Sequence, residues 1–141
     1  MKNKITQAVP FLITLLGIES APVSYWCIYS NGYCYSTWIH HIYPYFTNPL
    51  YNFSIFFLIV AIILIFVQHS VFKSWLKFAA WAIPLAIILV ALTPVNSNAF
   101  MDFFPFYRDD AARLAGEVFS GLSLLLIVWK SIAIRNTTKK V

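Results

Sequence analysis

Ten consecutive residues, Arg108-Asp109-Asp110-Ala111-Ala112-Arg113-Leu114-Ala115-Gly116-Glu117, hold five of the charged groups of this 141-residue chain. On a helix, Asp110, Arg113 and Glu117 follow one another at i, i+3 and i+7 and therefore share a face. Arg113 and Glu117 are four apart and can pair, although a base N-terminal to its acid is the less favourable order. Asp109 or Asp110 suits an N-cap, where an acid complements the positive end of the helix. Glu117 falls about two turns further in. An ionisable group within a membrane helix is costly and by default marks a proton, ion or substrate site; structural ion pairing is the plainer alternative. Glu19, at a similar depth in the first apolar segment, is expected to join the same cluster. Asp110, Arg113, Glu117 and Glu19 are thus the candidate polar site.

The two cysteines, Cys27 and Cys34, carry the other recognisable chemistry. A hairpin with Tyr29-Ser30-Asn31-Gly32 as its loop would pair Ile28 with Tyr33 and set Cys27 opposite Cys34. Gly32 would then supply the left-handed backbone such loops often need. A two-residue Asn31-Gly32 turn would instead place Cys27 against Ser36 and leave the thiols apart. On an oxidising outer surface a structural disulfide is the favoured reading, ahead of two unpaired thiols or a redox pair. His40 and His41 could be assembled with the cysteines around a metal, but no spacing resembles a structural zinc motif. Neither a metal nor another cofactor is expected. Gly-rich phosphate loops, Ser/His/Asp sets and paired catalytic carboxylates do not occur.

Composition decides which elements position these residues. The chain is 60% hydrophobic and 11% charged, with a mean hydropathy of +0.73, far from the charged fraction of about 25% that keeps soluble domains dissolved. Its length allows a single domain. Four apolar segments are expected as helices, at about 5–24, 51–72, 75–94 and 110–134, joined by outer loops at 25–50 and 95–109. Each is close to the roughly 20 residues that a helix needs to cross a bilayer. None alternates as a barrel strand would. The fold class is an all-α membrane protein, a four-transmembrane-helix bundle. The short link after the second segment makes the second and third helices an antiparallel hairpin.

Charge orients the bundle. Lys2, Lys4, Lys73, Lys77, Lys130, Arg135, Lys139 and Lys140 fall on one side, and all five acids fall on the other with only Arg108 and Arg113. Basic residues in short loops stay cytoplasmic, so both termini are expected inside and an aromatic-rich loop between helices one and two outside. This partition accounts for the formal charge of +5. Scattered bases without a continuous stripe exclude nucleic acid as a partner. The first segment resembles a signal peptide, but bulky or charged residues precede each cleavage site near Ala21, so it is read as a retained helix.

Ala112, Gly116 and Ser120 have the small-xxx-small spacing that lets membrane helices approach closely. They nominate the fourth helix as the central packing helix, or as a contact for a membrane protein partner or a homo-oligomer. Size and span count are similar to those of the four-helix thiol oxidoreductases that reoxidise periplasmic disulfide catalysts. The likeness is architectural only, because this chain has a C-x6-C in place of a C-x-x-C and lacks a second dithiol. The expected protein is a small, multi-pass, non-enzymatic accessory protein of a bacterial plasma (inner) membrane. The alternatives are a subunit of a homo-oligomeric transporter or channel, and a membrane enzyme with an outer-surface site on helix four.

Overall fold

From Asn48 to Phe66 the chain carries no charge and little polarity, and it forms one uninterrupted helix about which the others are arranged. A computed structural model describes residues 2–29, 43–94 and 107–138, all of them helical apart from short corners. The elements are α1 (Lys2–Tyr29), a π-helical turn (Tyr43–Thr47), α2 (Asn48–Phe66), α3 (His69–Leu92) and α4 (Arg108–Thr138). Four stretches, Lys4–Pro22, Tyr45–Phe66, His69–Leu92 and Arg108–Asn136, are long and apolar enough to cross a membrane. Large side chains such as Trp81, Phe66 and Leu92 lie exposed on the outside, as lipid-facing residues would.

The boundaries differ from the expected ones for local reasons. α2 ends six residues early, because Val67 and Gln68 turn to extended backbone after Val67 N–H donates to Ile63 O at 3.2 Å. Val71, Phe72 and Trp75 then become the first turns of α3 and bury their side chains in the core. Neither glycine nor proline marks this corner, and the apolar Val71-Phe72 pair disguises it. α2 starts early with Pro49 at its beginning, where a missing N–H is harmless. α1 runs through Pro10 and Pro22 to Tyr29. Thr14 Oγ1 donates to Pro10 O at 2.7 Å within it. The backbone at Cys27 and Ile28 is therefore helical rather than an extended hairpin strand. Cys34 and both cysteine side chains lie outside the described residues, as do His40 and His41.

α2 packs on α1 and on α4, and α4 packs in turn on α3. The α2–α3 pair is a hairpin in connection, yet its two helices meet mainly through large rings. Phe57 stacks on Trp75 with centroids 5.9 Å apart. Phe119 of α4 joins Phe53, Phe57 and Phe78 to complete an aromatic core. Centrality is therefore shared between α2 and α4. Glycines set both close approaches to α2. A Cβ at Gly17 of α1 would collide with Ser54 Oγ and sit 3.0 Å from Ser54 Cβ. One at Gly116 of α4 would lie 3.2 Å from Phe53 Cα and from Phe53 O. Two neighbouring residues of α2 are thus gripped from either side.

Candidate functional site

α3 ends on carbonyls that its own helix cannot satisfy, and Arg108 supplies the donors. Its Nε donates to Thr93 O at 3.1 Å and its NH2 nitrogen to Ala91 O at 3.0 Å. Its backbone N–H donates to Pro94 O at 3.0 Å. A cation at a helix C-terminus is also favoured by the dipole. The same guanidinium lies 5.4 Å from the ring centroid of Tyr45. Arg108 therefore joins the end of α3, the start of α4 and the turn before α2.

Asp110 and Asp109 divide the remaining work. Helix α4 begins at Arg108, so Tyr107 occupies the N-cap and the expected capping role of Asp109 or Asp110 is corrected. Asp110, at the third helical position, accepts from the Tyr107 backbone N–H at 3.2 Å, which is the return half of a capping box. Asp109 turns to α2, where Asn48 Nδ2 donates to its Oδ2 at 2.5 Å. The other carboxyl oxygen, Oδ1, is buried without a hydrogen-bond partner. Sequence reasoning missed the Asn48–Asp109 link, since 61 residues separate its ends.

Arg113 and Glu117 pair as their spacing predicts, with Nε 3.1 Å from Oε1. Arg113 also lies 5.8 Å from the ring centroid of Phe56 on α2. Both side chains are on the outward face of α4, 65% and 42% exposed. Asp110 is exposed on that side as well, whereas Glu19 belongs to α1. Among the described residues, no hydrogen bond or ion pair connects Glu19 to Asp110, Arg113 or Glu117. The structure thus brings together three of the four candidates.

The small residues of α4 face the other way. Ala112, Gly116 and Ser120 are buried, with Gly116 against α2. A second subunit could reach Gly116 only by displacing α2. Two further polar links tie the bundle. Trp75 Nε1 donates to Ser123 Oγ at 3.1 Å within the core. Gln7 Nε2 donates to Val67 O at 3.0 Å, fastening the start of α1 to the α2–α3 corner. At that corner His69 stacks on Phe72, and its Nδ1 is buried without a hydrogen-bond partner. An apolar groove of about 360 Å³ runs between α3 and α4, bordered by Phe78, Ala82, Leu89, Ala115 and Leu122. No group of three or more His, Cys, Asp or Glu side chains could hold a metal ion among the described residues.

No family model, curated protein or solved structure matches the chain.

Proposed function

We propose that this is a small multi-pass accessory protein of a bacterial plasma membrane, without an enzymatic reaction of its own. The observation that carries the reading is the use made of the outer charges. Arg108 ends α3, Asp109 holds Asn48, Asp110 bonds back to the Tyr107 N–H and Glu117 pairs with Arg113. Groups spent on ending, joining and pairing along helices in this way are poorly placed to turn over a substrate. A transport path would need polar groups through the depth of the bilayer, and α2 offers none from Ile55 to Phe66.

The charge partition supports both termini in the cytoplasm, with residues 30–42 and 95–106 on the outer side. The contacts agree with that arrangement: Gln7 sits at the α2–α3 corner, and Arg108 sits at the far end of α3. A Cys27–Cys34 disulfide on the oxidising side belongs to the same proposal.

Crosslinking in the native membrane, followed by identification of what co-purifies, tests the accessory role. A stable partner membrane protein is expected. Glu117→Gln removes one pair at the outer margin of the span; it should lower thermal stability by no more than about 1 kcal/mol and should leave any growth phenotype unchanged. Loss of a phenotype at unchanged stability would instead make Glu117 part of a working site.

A further inference from the structure

The outward face of α4 carries a charged pair at the outer margin of its apolar span. Glu117 and Lys130 are 13 residues apart with no charge between them, a helical rise of roughly 20 Å. The hydrocarbon core is roughly 30 Å thick. Snorkelling by Lys130, whose ammonium lies over the Trp129 ring, recovers part of the difference. The rest leaves Glu117 at the outer margin of the apolar layer with Arg113 a turn further out, and their side chains are 42% and 65% exposed. Ionisable groups in membrane helices usually face the protein interior. Here the interior side of α4 is already filled by α2 and α3, and among the described residues only the Phe56 ring lies over the pair, on its Arg113 side.

The same face has the form of a helix-packing seam. Leu114, Glu117, Gly121, Leu125 and Val128 follow at spacings of three, four, four and three, which hold the five on one stripe of α4. Leu114, Leu125 and Val128 are exposed. A Cβ at Gly121 would meet nothing within 4 Å, unlike one at Gly17 or Gly116. A residue without a side chain in the middle of an open helix face permits close approach from outside.

We propose that this face docks a second copy of the chain, α4 against α4, about a two-fold axis along the membrane normal. The argument for a copy is charge complementarity. The face bears one cation and one anion a single turn apart, so two parallel copies can satisfy each other, Arg113 of each reaching Glu117 of the other. Two-fold contacts of this kind use one patch twice and close at a dimer. The interface lies on the side of α4 opposite to Ala112, Gly116 and Ser120. The proposal rests on α4 spanning the bilayer.

The test uses two differently tagged copies of the full chain, co-expressed, extracted in mild detergent and captured through one tag. Wild type should retain wild type. Arg113→Glu makes the face wholly acidic and Glu117→Arg makes it basic, so each variant should retain itself about tenfold less, a change of about 1.4 kcal/mol. Arg113→Glu co-expressed with Glu117→Arg should recover the wild-type level, which also proves that both variants fold. Gly121→Leu, whose side chain meets open space within its own chain, should melt as wild type does and lose association to a similar degree. Wild type that fails to retain itself overturns the dimer, whether it is alone or bound to a different protein. So do charge variants that associate normally, a mixed pair no better than its members, or Gly121→Leu that still dimerises.

Discussion

The indole N–H of Trp75 donates to the hydroxyl of Ser123 at 3.1 Å, where both residues are buried and 48 positions separate them in the chain. Trp75 also stacks on Phe57 and Phe72, each with centroids 5.9 Å away. One side chain thus fixes the N-terminal half of α3 against α2 by ring contact and against α4 by a polar bond. A hydrogen bond between membrane helices contributes about 0.6 kcal/mol on average and rarely exceeds about 1.7. Trp75→Phe and Ser123→Ala should each lower stability, and the double variant should lose about 0.5–1.5 kcal/mol less than the sum. Unfolding by denaturing detergent reads this coupling. Strict additivity would show that the bond contributes nothing.

The glycines of the bundle divide by what surrounds them. Gly17→Ala forces its methyl against Ser54, and Gly116→Ala forces its methyl against the backbone of Phe53. Each should cost about 1–3 kcal/mol, as overpacking does. Ser54→Gly should relieve the first substitution and leave the second untouched. Gly121→Ala meets open space and should leave the chain's own stability within about 0.5 kcal/mol of wild type. Melting temperatures of the three alanine variants provide the comparison.

Arg108 predicts a difference between charge and shape. Lysine keeps the cation but replaces a fork that reaches two carbonyls at once with a single point of donation. Arg108→Lys should therefore lose about 0.5–1.5 kcal/mol, the net value of one hydrogen bond. Asn48→Leu, which leaves the Asp109 carboxyl without its donor, should lose about 1–3 kcal/mol. Thermal unfolding in the same detergent ranks the two. An Arg108→Lys chain as stable as wild type would mean that charge at the end of α3 suffices without the bonds to Ala91 and Thr93.

These cases also mark what could be read in advance. Hydropathy located the four helices, because Phe53–Leu64 or Ala79–Leu92 can do little but sit in an apolar layer. Spacing alone located the Arg113–Glu117 pair, a contact local to one helix. The α2–α3 corner was misplaced by several residues, since Val67-Gln68 carries no turn residue and Val71-Phe72 looks like a continuing span. Asn48–Asp109, Gln7–Val67 and Trp75–Ser123 were invisible for a different reason: each joins residues that only tertiary packing brings together. Gly116 was recognised as a packing glycine, but its partner could as well have been another subunit until α2 was seen to occupy it. The role of Gly17 was hidden in the same way, since only packing shows that Ser54 of α2 leaves no room for a Cβ there.

The central claim is a four-span chain whose ends share the cytoplasmic side, with residues 30–42 outside, and a thiol-labelling assay on intact cells tests it most directly. After mild reduction, a membrane-impermeant maleimide should label Cys34 without breaching the membrane. In a Cys27→Ser, Cys34→Ser chain carrying Thr138→Cys, the same reagent should label only after the membrane is opened. Labelling of Thr138→Cys in intact cells, or of Cys34 only in opened ones, would contradict the account.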